Sequence, residues 1–123
     1  MSGLNSGRGI VTGAARGIGR AAALRLRAEG VAVLAVDRDA AGLAELAAAG
    51  CETMVVDLAD PAERDRIAER ADDLDYLVNS AGMILIKPIT EVTVEERRRV
   101  QTVNAEAIFF LCSDKASYIT GQV

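Results

Sequence analysis

Glycines set at short intervals between an apolar run and an amphipathic one are the first residues here whose spacing implies chemistry. Thr12-Gly13-Ala14-Ala15-Arg16-Gly17-Ile18-Gly19 follows the apolar run Gly9-Ile10-Val11-Thr12 and opens the mixed segment 17–29. Glycine allows a tight turn, close approach of backbone to a ligand, and close packing of a helix on a strand. The helix that begins there offers free N–H groups and the positive end of its dipole, a combination that holds a diphosphate. Such a turn alone is weak evidence, because ordinary turns are also glycine-rich. The context strengthens it: a strand precedes, a helix follows, and Asp37 ends the next apolar run. A carboxylate there accepts hydrogen bonds from ribose hydroxyls and repels a 2′-phosphate, which favours NAD over NADP. Arg16 and Arg38 pull the other way, since a cation near the turn attracts a 2′-phosphate. The carboxylate's alternative role is to cap the following helix, for which Asp39 is better placed.

The elements that must position these groups are legible from periodicity. Residues 31–36, Val-Ala-Val-Leu-Ala-Val, are continuously apolar, as in strands covered on both faces. Residues 39–49 are rich in Ala and Leu and close at Gly50, and residues 53–56 form a third strand that ends at Asp57. Asp60-Pro61 opens another helix, with Asp60 as cap, Pro61 in the first helical position and Glu63 in the first turn. Leu77-Val78 is the core of a fourth strand. Lys87-Pro88 marks a loop. Thr93 and Glu96 make a capping box for a helix running to about Leu111, with Val100, Val103, Ala107 and Phe110 on one apolar stripe. Strands alternating with helices over short connections predict a doubly wound parallel sheet in a three-layer α/β/α arrangement, class α/β.

Bulk properties narrow the remaining classes. The chain has 123 residues, half of them hydrophobic, and very few aromatics, so one aliphatic core suffices. A net charge of −4 argues against nucleic acid. Arg97-Arg98-Arg99, following Glu95-Glu96, reads as a solvated helix face. With no His and only Cys51 and Cys112, no metal site is expected. Both cysteines read as core fillers. Neither a leader peptide nor a membrane span is evident, so the cytoplasm is the expected compartment.

At these residues the chain resembles the short-chain dehydrogenase/reductase family. Thr12-Gly13-x-x-x-Gly17-Ile18-Gly19 is similar to its glycine motif, and Asp57-Leu58 to its adenine-contacting pair after the third strand. Asn79-Ser80-Ala81-Gly82 resembles its Asn-Asn-Ala-Gly motif, with Ser80 in place of the second Asn. Asn104 matches the helix Asn that holds a water in the family's proton relay. The resemblance covers residues 8 to about 112. It implies a Rossmann-like fold and hydride transfer between a small alcohol and a carbonyl. By the same resemblance a dinucleotide is bound by Gly13, Arg16, Gly17, Ile18, Gly19, Asp37, Asp57, Leu58, Asn79, Ala81 and Gly82, and Asn104 is the one catalytic residue present.

The chain departs from the family pattern in one respect. The family's reaction uses a Tyr and a Lys four residues later, the cation lowering the phenol's pKa. Here the tyrosines are Tyr76 and Tyr118, followed at that spacing by Ser80 and Gln122. A relocated dyad of Tyr118 with Lys115 would have the wrong order and spacing. The tail 113–123 resembles the segment before the family's last strand, so residues 1–112 form the dinucleotide-binding domain and the resemblance implies an internal deletion between the two. A half-sheet would expose the edge beside the fourth strand, which predicts a homo-oligomer. Two functions follow: an oxidoreductase by family, or a non-catalytic nucleotide-binding or interaction module.

Overall fold

A computed structural model of the chain describes residues 7–70, 74–83 and 85–107. Among the described residues its sheet has four parallel strands: β1 (Arg8–Thr12), β2 (Ala32–Asp37), β3 (Glu52–Val55) and β4 (Tyr76–Asn79), in the order β3-β2-β1-β4. Thr12 pairs with Val36 on one side and Asn79 on the other, so the glycine turn leaves the sheet between two strand ends. The expected doubly wound α/β class is what the chain adopts.

The uninterrupted apolar run of β2 is explained by what covers each face. Val33 and Ala35 point to one face, where Ala23 and Leu26 of α1 (Gly17–Ala28) meet Leu43 and Leu46 of α2 (Ala40–Ala48). Leu34 and Val36 point to the other, against Ile67 of α3 (Pro61–Ala68) and Ala107. Side chains alternate along a strand, so covering both faces requires an apolar residue at every position. Cys51 is buried in the first of these cores, as a core filler should be, and burial pushes its thiol pKa up despite nearby Arg27. Cys112 lies outside the described residues.

The helix starts follow their capping chemistry. The Asp39 side chain accepts from the Gly42 amide at 3.2 Å, and that of Asp60 from the Ala62 amide at 2.9 Å ahead of Pro61. A short 3₁₀ turn (Ile89–Glu91) after Pro88 leads to α4 (Val94–Gln101). There the Glu96 amide donates to the Thr93 hydroxyl and the Thr93 amide to the Glu96 carboxylate, each at 3.0 Å, the expected capping box. The expected single stripe is only partly regular. Val103 and Ala107 are buried, but Thr102–Glu106 widens into a π-turn that no periodicity announced. Phe110 and Leu111 lie outside the described residues, as do residues 1–6 and the tail with Lys115 and Tyr118.

Candidate nucleotide site

The carboxyl ends of the strands converge on a cleft walled by Gly13, Asp37, Asp57, Ala81, Gly82 and Arg99, with Leu58 and Val103 beneath. Ligands of open α/β sheets bind where strand order reverses, here between β1 and β4. The glycine turn forms one side of this opening. Thr12 Oγ1 accepts from the Ser80 and Ala81 amides at 3.2 and 3.3 Å, tying the end of β4 to the turn.

The three motif glycines do different work. Gly13 has φ +64°, and a Cβ there would lie 2.6 Å from the Ala81 amide nitrogen, so close approach of β4 excludes any side chain. Gly19 has no room for a Cβ because its neighbour is the Gly13 carbonyl, so α1 packs directly on the turn. Gly17 has φ +60°, yet a Cβ would meet nothing within 4 Å. Packing therefore does not explain Gly17; backbone conformation and open space beside the turn do.

Two further features fit an anionic ligand at that open space. The N-cap of α1 is Arg16, which makes no side-chain cap bond, and the first turn holds no acid. The amides of Gly17, Ile18 and Gly19 thus keep the uncompensated positive end of a 12-residue helix. Ile18 is 82% exposed, an aliphatic side chain left in solvent beside the uncapped amides. Arg16 is itself exposed and pairs with Asp39 at 3.9 Å.

Asp37, half-buried at the end of β2, accepts from the Ala15 amide through Oδ2 at 3.0 Å and from the Asp39 amide through Oδ1 at 2.9 Å. It does not cap α2; it fastens the glycine turn to its own strand and retains acceptor lone pairs for a hydroxyl donor. Asp57 sits at the end of β3, with Oδ1 accepting from the Ala59 amide at 3.0 Å. Arg99 Nη2 of α4 donates to both of its oxygens at 3.1 Å. Burial pushes the Asp57 carboxyl up, but the Ala59 amide and Arg99, helped by Arg38, outweigh it and hold the group below its ordinary value.

Arg99 corrects the expectation of a solvated basic run. Arg97 and Arg98 are exposed, whereas Arg99 is half-buried and walls the cleft. Its partner is 42 residues away in sequence, so no local pattern revealed it. Leu58 is 7% exposed and belongs to the core under the cleft, with its carbonyl accepting from Arg64 at 3.2 Å. Asn79 stands in β4 opposite Thr12, outside the cleft wall, while Ala81 and Gly82 are part of it. Asn104 lies in the π-turn, where Oδ1 accepts from the Met83 amide at 2.7 Å and Nδ2 donates to the Met83 carbonyl at 2.9 Å. That clasp joins the segment after β4 to the helix.

Comparison with known proteins agrees with this architecture. Residues 9–122 match the family model for short chain dehydrogenases. L-xylulose reductase of Mesocricetus auratus is 41% identical over 108 residues, covering 86% of this chain and 44% of the relative. D-erythrulose reductase of Gallus gallus is 35% identical over 117 residues, covering 94% and 48%. Among solved structures, a Serratia marcescens short-chain dehydrogenase/reductase superposes with TM-score 0.85 at 27% identity, covering 97% of this chain and 53% of that one. A short-chain dehydrogenase from Sphingobium yanoikuyae in complex with NADPH gives TM-score 0.80 at 30% identity, covering 89% and 46%. The chain spans about half the length of the curated relatives it matches.

Proposed function

Because this chain belongs to the short chain dehydrogenase family, we propose that it binds NAD at the glycine turn and serves the family's oxidoreductase chemistry through that site. The observation that carries the reading is the opening of α1, where an uncapped helix start meets a Gly17 whose missing side chain faces open space. The diphosphate fits the amides of Gly17, Ile18 and Gly19, the ribose hydroxyls fit Asp37, and adenine fits the cleft between Asp57 and Ala81. Bound NAD supplies a nicotinamide that exchanges a hydride with the carbon of an alcohol or carbonyl. Asp37 favours NAD because a second anion beside a carboxylate is repelled. Arg16, exposed and 3.9 Å from Asp39, and Arg38 oppose this preference, since either cation can attract a 2′-phosphate. The NADPH in the Sphingobium yanoikuyae structure makes the preference worth measuring in this chain.

By the resemblance Asn104 serves the family's proton relay, and its clasp on Met83 supports a part in positioning the segment after β4. Proton exchange with the substrate oxygen needs a group that ionises near neutrality, and the sequence contains no Tyr-x-x-x-Lys. That observation favours a second reading, in which this polypeptide alone binds the dinucleotide without turning over substrate. A further part of the reading is self-association through the β4 edge, which pairs only with β1 among the described residues.

Calorimetric titration with NAD and NADP, followed by nicotinamide absorbance with secondary alcohols, separates these readings. The expected result is saturable binding of NAD, weaker binding of NADP, and no turnover. Turnover would restore the chain to the enzymes, and failure to bind either nucleotide would refute the site.

A further inference from the structure

The outer strands of the described sheet are β3 and β4, and their free edges differ. At β3 the Val56 amide donates inward to the Asp37 carbonyl at 2.9 Å, so the backbone groups of Val55, one residue earlier, face away from β2. The outward Val55 carbonyl is covered: Arg66 Nη1 donates to it at 3.3 Å. At the other end of the strand Glu52 is ion-paired with Arg70. Arg66 lies in the last turn of α3 and Arg70 one turn later, just past its end. Because Arg66 meets the end of β3 and Arg70 its beginning, the helix runs back along the strand and lays two cations over one edge.

The residues of β4, Tyr76-Leu77-Val78-Asn79, include no charge, and each is half-buried. A charged side chain on an edge blunts it against strand addition, because a newcomer must strip the charge of its partner and its water. An uncharged, partly apolar edge has no such barrier. With both edges open, β4 of one copy would add beside β3 of the next and extend the parallel sheet head to tail without closing. With β3 occupied, the contact left is β4 on β4 across a two-fold axis, which closes at two copies. We infer that Arg66 and Arg70 act as edge guards, excluding a second copy from β3 so that association ends at a two-fold dimer built on β4. The inference rests on the self-association through β4 proposed above.

Sedimentation velocity of the full chain over about a hundredfold range of concentration tests it. The wild type should level off at the dimer. A variant combining Arg66→Ala, Arg70→Ala and Glu52→Thr removes both cations and the carboxylate that Arg70 would leave behind. Its sedimentation coefficient should keep rising with concentration and fall again on dilution, with circular dichroism as the folding control. This variant carries more net negative charge than the wild type, so lost repulsion cannot explain its growth. Arg66→Lys, which keeps a cation over the edge, should behave like the wild type. If the triple variant melts before it can be measured, Arg66→Ala alone decides, and it should still pass the dimer. A folded triple variant that levels off with the wild type, or a wild type that itself grows without limit, overturns the guards. A wild type that stays monomeric refutes association through β4 instead. Growth of the variant then still upholds the guards, and a monomeric variant overturns them as well.

Discussion

At the scale of single residues, Gly13 and Gly17 separate packing from ligand access. Both have positive φ, but only Gly13 faces backbone within 3 Å. Gly13→Ala should destabilise the fold by about 3 kcal/mol, adding overpacking to left-handed strain, and thermal or urea unfolding measures it. Gly17→Ala should cost only about 1 kcal/mol of stability, from the left-handed backbone alone. Its main effect should be on NAD, weakening binding by about tenfold, since the new methyl group enters space that the diphosphate needs. Equal effects of the two substitutions on stability would contradict this assignment. The turn, Asp37 and Asp57 were legible because their signal is local: a glycine spacing, or an acid at the end of an apolar run. Arg99 was not legible. Its neighbours Arg97 and Arg98 do face solvent, and the carboxylate that distinguishes it arrives only when β3 and α4 come together.

At the scale of elements, capping chemistry was read from sequence almost without loss, because a cap is a bond between residues two or three apart. Asp39 and Asp60 cap where their positions predict, and Thr93 with Glu96 closes the box on α4. The sequence did not reveal Lys87, whose ammonium lies 2.9 Å from Glu96 Oε2. Its hydrogen bond, more than the Thr93 amide, holds the Glu96 carboxyl below its ordinary value of 4.5. The unfolded chain therefore binds the proton first as pH falls. The stability from this contact is complete above 4.5 and is lost as pH drops through that value toward the folded one. Lys87→Met should melt at a lower temperature than the wild type at pH 6, with the gap narrowing as pH falls below 4.5. A gap independent of pH would show that Lys87 acts through packing alone. The π-turn at Thr102–Glu106 was also invisible, because the apolar spacing of Val100, Val103 and Ala107 suits a regular helix equally well. Within it, Asn104 is bonded to Met83 in the segment after β4.

For the molecule as a whole, fold class followed from alternation of strands and helices, and the covered faces explain why β2 has no polar position before Asp37 to betray an orientation. Strand order did not follow from alternation; it depends on which strand ends the turn and Thr12 bring together. The β4 edge remains open among the described residues, and Leu85, Ile86, Ile89 and Val94 in the following segment are exposed apolar side chains. An open edge beside an apolar surface favours association. Sedimentation velocity should therefore show a dimer or larger species at tens of micromolar protein, and a concentration-independent monomer would contradict that expectation. The proposed site holds a diphosphate on the bare amides at the start of α1. Amide-resolved NMR during titration with NAD tests it most directly. The largest shifts should fall at Gly17, Ile18 and Gly19, with Ala15 responding through Asp37. Saturable binding that leaves those amides unmoved would contradict it.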